Sequence, residues 1–140
     1  LKEISSLASW TVTSSKPGCS IPQLLSPSTS SYWQSDGPQP HHLNIHFFKL
    51  VEIVAIRVFL DFELDESYTP QKIEWAAGMG NADLLVWSTM RVEMPRGWCW
   101  VDFGGRRRHH PTLRCMLLQV RILENHQNGK DTHLRGLQIF

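Results

Sequence analysis

Three polar loops carry more functional groups than turn geometry alone requires. They are residues 32–37 (YWQSDG), 65–70 (DESYTP) and 125–133 (NHQNGKDTH). Each combines short side chains that donate and accept hydrogen bonds with flanking aromatic residues, a mixture suited to recognition of a polar ligand. A single aspartate or asparagine in such a loop often only satisfies the turn backbone. Three such loops gathered at one end of a domain favour a binding rim.

The same loops hold the residue types of a serine catalytic triad. The candidates are Ser35 or Ser67 as nucleophile, His126 or His133 as base, and Asp36 or Asp131 as the orienting carboxylate. No GxSxG-like nucleophile turn or oxyanion loop accompanies them. Because loops this polar contain serine, histidine and aspartate by chance, the sequence predicts no catalytic residue and no enzyme activity.

A histidine group, His41, His42 and His46, is the remaining candidate for metal binding. His41 and His42 would point to opposite faces of a strand beginning there. His42 and His46 would lie about 13 Å apart along an extended chain. One strand cannot bring these three side chains to one ion, so we predict no metal site and no cofactor.

Residues 106–110 form a basic run (RRRHH) that could contact phosphate or an acidic partner surface. A solvated loop is the commoner role of such a run. It has no interleaved aromatic residues that could stack on bases, and the formal net charge of the chain is only +1. The sequence therefore predicts no nucleic-acid partner.

The composition is that of one ordinary globular domain, with 140 residues of which 41% are hydrophobic and 19% charged. Polar or charged side chains interrupt the longest apolar tracts, residues 51–60 and 115–123, so neither is a transmembrane helix and no membrane partner is expected. The first ten residues lack signal-peptide features and an initiator Met, as expected for an internal fragment. Three widely spaced cysteines favour a reducing, intracellular setting.

Short strands must position the polar loops. In residues 54–62 apolar residues recur at period two, which is typical of a strand with one buried face. The residues on that face are Val54, Ile56, Val58, Leu60 and Phe62. Residues 72–77 repeat this periodicity, with Ile73 and Trp75 alternating with polar residues. Aromatic or β-branched runs predict further strands at residues 84–92 and 98–103.

The clearest strand pattern lies in residues 113–124, where Met116, Leu118, Val120 and Ile122 share a face. A final strand is expected at residues 137–140, and the pair Asn128-Gly129 before it signals a tight turn.

Helices are expected to be few and short. Residues 14–31 are rich in serine and proline, which predicts an irregular wrapped loop with at most one helical turn at residues 22–25. Short strands joined by polar turns argue for an all-β fold of two packed antiparallel sheets. We expect a single domain, with a wrapped N-terminal segment over about residues 1–42 and a β-sandwich over about residues 43–140.

Four motifs occur in a specific order along the chain. They are SKPG at residues 15–18, YWQSDG at 32–37 followed by QPH at 39–41, DESYTP at 65–70, and HQNGKDTH at 126–133. In this order they resemble the DOC domain, most closely the DOC-domain subunit of the anaphase-promoting complex, over about residues 3–140. The resemblance implies a galactose-binding-domain-like β jelly roll, in agreement with the strand pattern.

The resemblance also implies a function in cell division. Proteins similar to this chain are non-catalytic subunits of a mitotic ubiquitin ligase, where they act with a WD40-type propeller coactivator to capture the destruction-box degron of substrates. Ubiquitin chemistry belongs to a cullin and RING catalytic module, and a tetratricopeptide scaffold subunit is a further partner. Nuclear and cytoplasmic localisation is expected.

Ligand-facing residues are implied by the resemblance in all three polar loops. They are Ser35, Asp36, Asp65, Glu66, Ser67, Tyr68, Asn125, Gln127, Asn128, Asp131 and His133. Their amides, hydroxyls and carboxylates can hydrogen-bond the backbone and polar side chains of an extended peptide.

Two features depart from the family pattern. The chain ends at Phe140 without the C-terminal tail by which such subunits dock on the tetratricopeptide partner, and residues 98–111 are unlike the family's usual loop. Two alternative functions stay open. One is a lectin-like module that binds a sugar or another small polyol, with Trp33 and Tyr68 as stacking platforms. The other is the DOC domain of another large ubiquitin ligase.

Overall fold

The computed structural model describes residues 1–103 and 112–140. In it, strands with alternating apolar side chains form two antiparallel sheets that share one hydrophobic core. The strands are β1 (Ala8–Val12), β2 (Trp33–Gln34), β3 (His41–Ile53), β4 (Ile56–Asp61), β5 (Pro70–Gly78), β6 (Leu85–Arg91), β7 (Arg96–Trp100), β8 (Leu113–Asn125), β9 (His133–Leu134) and β10 (Gly136–Ile139). The helices are α1 (Ile21–Leu25), α2 (Phe62–Asp65) and single 3-10 turns at Ser5–Leu7, Glu66–Tyr68, Asn81–Asp83 and His126–Asn128.

The larger sheet has the order β1-β3-β8-β5-β6, and the smaller has the order β10-β4-β7. Strands β2 and β9 form a separate two-stranded ribbon at one end. All of these pairings are antiparallel. The predicted all-β architecture of two packed antiparallel sheets is confirmed.

The N-terminal segment contributes to the larger sheet. Strand β1 pairs along its length with β3, from Ala8 opposite Phe47 to Val12 opposite Leu43. Residues 1–42 therefore add an edge strand to the sandwich. The predicted helical turn at residues 22–25 is confirmed as α1, with Ser20 and Gln23 forming a reciprocal capping box.

In β4, the expected period-two face is confirmed for Ile56, Val58 and Leu60, which are buried against the larger sheet. Its predicted ends were wrong. Val54 precedes the strand, and Phe62 begins α2. The chain turns there because the Asp61 carboxylate accepts a hydrogen bond from the Leu64 amide at 3.2 Å, which caps the helix.

Strand β8 changes its buried face midway. Cys115 and Leu117 are buried, and then Leu118, Val120 and Ile122 are buried. The prediction that Met116 shares their face was wrong. The register between β3 and β8 shifts at the same point, where the four β3 residues between His46 and Val51 lie opposite Met116 alone.

We expect Leu118→Ala to lower the free energy of unfolding by about 2–5 kcal/mol, because Leu118 has no exposed surface in the core and truncation leaves a cavity. The matched control is Leu85→Ala, at a leucine that is 75% exposed, which should change stability by about 0.5 kcal/mol or less. Urea denaturation measures both. Similar losses for the two variants would contradict the assignment of β8 to the core.

Candidate functional site

The three polar loops meet at one end of the sandwich. The ribbon of β2 and β9 pairs Gln34 with His133, which joins the first loop to the third. The His126 amide donates to the Thr69 carbonyl oxygen at 2.9 Å, which joins the second loop to the third. Residues more than 90 positions apart in the sequence are thereby brought into one rim.

Asp65 is the buried anchor of this rim. Its carboxylate accepts two hydrogen bonds from the Arg135 guanidinium, both at 2.8 Å, and one from Nδ1 of His133 at 2.9 Å. The side chains of Asp65 and Arg135 are only 2% and 9% exposed. Burial of the Asp65 carboxyl acts to raise its pKa, but the hydrogen bonds from His133 and Arg135 outweigh it and hold the pKa below its ordinary value of 3.8.

His133 lies between two tyrosine rings. Its ring centroid is 3.9 Å from that of Tyr32 and 4.2 Å from that of Tyr68, and both pairs are stacked. The other ring nitrogen, Nε2, lies 2.9 Å from Oε1 of Gln34. This stack fixes the exposed Tyr68 ring relative to β2, so the first and second loops hold each other in place through His133.

Ser35 and Asp131 form a second buried junction. The Ser35 hydroxyl donates to Oδ1 of Asp131 at 3.0 Å and accepts from the Thr132 amide at 2.9 Å. His41 lies beside it, with Nε2 3.2 Å from the hydroxyl and 2.6 Å from the Lys130 carbonyl oxygen. The closer carbonyl accepts the Nε2 proton, so His41 contributes a structural contact to the loop.

Asn125 holds the third loop from within. Its amide nitrogen donates to the carbonyl oxygens of Gly129 and Asp131 at 3.2 and 2.9 Å, and its oxygen accepts from the Thr132 hydroxyl at 3.0 Å. The left-handed residues of the turn are Gln127 and Asn128, with φ of 55° and 58°. Gly129 has φ of −61°. The tight turn expected at Asn128-Gly129 therefore has its left-handed residues at Gln127 and Asn128, and of the predicted pair only Asn128 is left-handed.

Gly129 is required for a different reason. A Cβ atom at this position would overlap the carbonyl oxygen of Ser67. The absence of a side chain therefore lets the second and third loops pack backbone against backbone.

Burial divides the eleven predicted site residues into three groups. Ser35, Asp65 and Asn125 are buried, and their polar atoms bond within the protein. Ser67, Asp131 and His133 are half-buried. The exposed group is Asp36, Glu66, Tyr68, Gln127 and Asn128.

One member of the exposed group, Asn128, borders a small polar depression of about 90 Å³. Asn128 and Lys130 of the third loop line it together with Gln39, Gln71 and Glu124. Amide, ammonium and carboxylate groups thus face solvent beside the rim. This arrangement offers both hydrogen-bond donors and hydrogen-bond acceptors to a polar chain lying across the loops.

The candidate triad does not assemble. The Ser35 hydroxyl is fully buried and contacts His41, while His126 and His133 bond elsewhere. Nδ1 of His126 donates to the Thr69 carbonyl oxygen, and its Nε2 accepts from the Met94 amide. In this arrangement neither serine has a base in position.

Trp33 is not a stacking platform, which corrects the expectation made for a lectin-like site. Its side chain is fully buried in the core, and its Nε1 donates to the Ser14 carbonyl oxygen at 3.0 Å. Tyr68 is exposed, but one face of its ring is covered by His133.

Sequence reasoning missed Arg135 as the partner of Asp65. A signal was present, since Arg135 stands between β9 and β10 near the apolar residues Leu134 and Leu137, and an arginine buried in such a place needs a carboxylate. The sequence does not say which carboxylate supplies it.

Other predicted features give no further site. The basic run at residues 106–110 lies outside the described residues. Among the residues that the structure describes, no three His, Cys, Asp or Glu side chains are placed to hold a metal ion. No helix within the described ranges is long and apolar enough to cross a bilayer.

Burial raises the pKa of the Cys115 thiol to about 11, which leaves it protonated at neutral pH.

We expect Asp65→Asn to lower the free energy of unfolding at pH 7 by about 3–5 kcal/mol, because it leaves the Arg135 charge buried without its counter-ion. The pKa of Asp65 is lower in the folded state, so its contribution is present above about pH 4 and is lost as the pH falls through the folded-state value. The difference between the two proteins should therefore narrow below pH 4. Denaturant titrations from pH 7 to pH 2 test this, with the exposed Asp36→Asn as control, and a constant difference would contradict it.

We expect Gly129→Ala to cost about 1–3 kcal/mol of stability, because the added methyl group forces the Ser67 backbone away. Gly80→Ala is the matched control, since a Cβ there meets no atom within 4 Å. Urea denaturation gives the stability, and amide chemical shifts near Ser67 and Asn128 report the loop displacement. Unchanged shifts in the Gly129 variant would refute the close approach.

Comparison with known proteins identifies the family. A family model described as anaphase-promoting complex, subunit 10 (APC10), matches residues 1–140. Anaphase-promoting complex subunit 10 of Schizosaccharomyces pombe is 43% identical over 138 residues, which cover 99% of this chain and 72% of the relative. The Homo sapiens subunit 10 is 37% identical over 140 residues, which cover 100% of this chain and 75% of the relative.

Solved structures agree on the fold. A family 32 CBM of Clostridium perfringens NanJ in complex with galactose superposes with a TM-score of 0.78 at 12% identity, covering 98% of this chain and 96% of that one. The Clostridium perfringens module CpGH89CBM32-5 gives a TM-score of 0.80 at 11% identity and covers 99% of each chain. At such low sequence identity these two similarities are evidence for the fold alone. They confirm the galactose-binding-like jelly roll. With a family match along its whole length, the chain belongs to the anaphase-promoting complex subunit 10 (APC10) family.

Proposed function

We propose that this chain is a non-catalytic substrate-recognition and processivity subunit of an anaphase-promoting complex. In this proposal its polar rim binds the destruction-box degron of a substrate together with a WD40-type coactivator. The relatives from fission yeast and human are both named as subunits of that complex. The chain would assemble with other subunits, including a cullin and RING catalytic module and a tetratricopeptide scaffold, in the nucleus and the cytoplasm.

The observation that carries the proposal is an exposed polar rim held rigid from below. Asp36, Glu66, Tyr68, Gln127 and Asn128 face solvent at the end where the three loops meet. Beneath them, internal hydrogen bonds occupy the polar atoms of the buried predicted residues. We assign direct contacts with the degron to the exposed group, and the positioning of the loops to the buried group.

Such a rim suits an extended peptide that binds weakly. Its groups are short or solvated, so few of them would be fully desolvated by a ligand, and the affinity of the rim alone is expected to be low. A second degron contact on the coactivator raises the effective concentration at the rim. Substrate then stays bound longer, and the catalytic module adds more ubiquitin before release.

The absence of catalysis by this chain is supported by the burial and bonding of Ser35, one of its two candidate nucleophiles. Ser35 has no exposed surface, and its hydroxyl donates to Asp131. The alternative of a DOC domain from another large ubiquitin ligase is less well supported, because the relatives named above match this chain over almost its full length.

We expect Asn128→Ala and Tyr68→Ala each to reduce photocrosslinking of a destruction-box peptide by about fivefold or more, because each removes an exposed contact of the rim. The measurement uses the assembled complex with its coactivator. The matched control is Asn81→Ala, an exposed asparagine near the opposite end of β5 from the rim. Equal crosslinking by the wild type and both rim variants would refute degron binding by these loops.

A further inference from the structure

The outer face of the smaller sheet carries a cluster of aromatic side chains around one arginine. Arg57 of β4 lies opposite Trp100 of β7 and opposite Gln138 of β10, and Trp98 and Phe140 complete the group. We call these five residues the Arg57 cluster. None of them belongs to the polar rim.

Arg57 is held flat by its neighbours. The guanidinium carbon lies 4.1 Å from the ring centroid of Trp98, 5.4 Å from that of Trp100 and 5.8 Å from that of Phe140. Its Nε donates to Oε1 of Gln138 at 2.7 Å. Cation–π contacts and this hydrogen bond fix the plane of the guanidinium, so little side-chain entropy remains to be lost when another molecule binds it.

Arg57 differs from the other arginines that the structure describes. Arg91, Arg96, Arg114, Arg121 and Arg135 each form an ion pair with an aspartate or a glutamate. Arg57 has no carboxylate within ion-pair distance among the described residues. Within the same part of the chain, no hydrogen bond uses its two terminal NH2 groups. Arg57 is half-buried, and its preorganised fork of N–H donors has no counter-ion among the described residues.

The chemistry of the cluster favours a carboxylate from a protein partner. A planar guanidinium matches a carboxylate through two parallel hydrogen bonds. Trp100 is 55% exposed beside it and offers an apolar face, and tryptophan and arginine are the residue types that dominate the energetics of interfaces. A nucleic acid would be held by several phosphate contacts, whereas the other arginine on the described part of this sheet face, Arg96, is already paired with Glu63.

We propose that the Arg57 cluster is a docking surface for an acidic segment of a partner protein. One aspartate or glutamate of that segment pairs with the terminal NH2 groups of Arg57, and a neighbouring apolar side chain packs on Trp100. About 13 Å of β4 separates Arg57 from Asp61, and the polar rim begins beyond that end of the strand. The docking surface and the degron rim can therefore be occupied at the same time.

The test places a photocrosslinker in the cluster of the full chain within its native assembly. We expect Trp100→p-benzoylphenylalanine to crosslink to a segment of another protein that is rich in aspartate and glutamate. Adding Arg57→Gln should reduce that crosslink about tenfold or more, and Arg57→Lys should reduce it less, because lysine keeps the charge but loses the planar fork. The matched control is Arg114→Gln, an exposed arginine on the other sheet, which should leave the crosslink unchanged.

A charge exchange gives the decisive result. Arg57→Glu should abolish the crosslink, and replacing the acidic residue of the captured segment by arginine should restore it. Crosslinks confined to this chain, to nucleic acid or to a segment without acidic residues would overturn the proposal, as would a crosslink insensitive to Arg57→Gln. Crosslinking of a destruction-box peptide, measured in the same samples, separates failure of this surface from failure of the degron rim.

Discussion

The carboxylate of Asp65 lies buried where three distant segments of the chain meet, and a buried charge must be neutralised by neighbours that the fold supplies. Arg135 provides two hydrogen bonds, and His133 provides one. The Arg135 guanidinium also donates to the Thr29 carbonyl oxygen at 3.0 Å, which attaches the serine-rich segment to the same point. Because loss of either charge would leave the other unpaired, the rim cannot open locally without a large cost in free energy.

This constraint determines what kind of ligand site the rim can be. The stacked rings of Tyr32, His133 and Tyr68 and the backbone contact at Gly129 allow the loops little adjustment. A site that does not rearrange gives up little conformational entropy on binding. Its affinity then depends on solvated groups such as Asn128. The remaining binding free energy must come from a second contact elsewhere on the ligand.

Side-chain periodicity was sufficient to predict β4, β5 and β8, because one face of each strand packs on a shared core, and aromatic and β-branched composition predicted β6. Periodicity could not predict the change of buried face at Met116, since that change coincides with a shift in the register between β8 and its partner strand β3. The three loops were predicted from their composition, but the pairing of Asp65 with Arg135 was not. A charge signals that it needs a partner, while the choice of partner depends on the tertiary fold. Trp33 was misjudged for a related reason, because an aromatic residue in a polar loop looks the same in sequence whether it faces solvent or the core.

Two arginines of this chain, Arg135 and Arg57, have the same side-chain chemistry but different roles, because their surroundings differ. Arg135 lies in the interior with its Nε and one terminal NH2 group on Asp65, so its charge contributes to the shape of the rim. Arg57 is also restrained, by aromatic rings and Gln138, yet it has no carboxylate partner among the described residues. Rigid placement of a charge is useful to a fold only when the counter-ion lies within it. Where the described structure supplies no counter-ion, the restraint lowers the entropic cost of binding another molecule, which is the physical basis for assigning Arg57 to an interface.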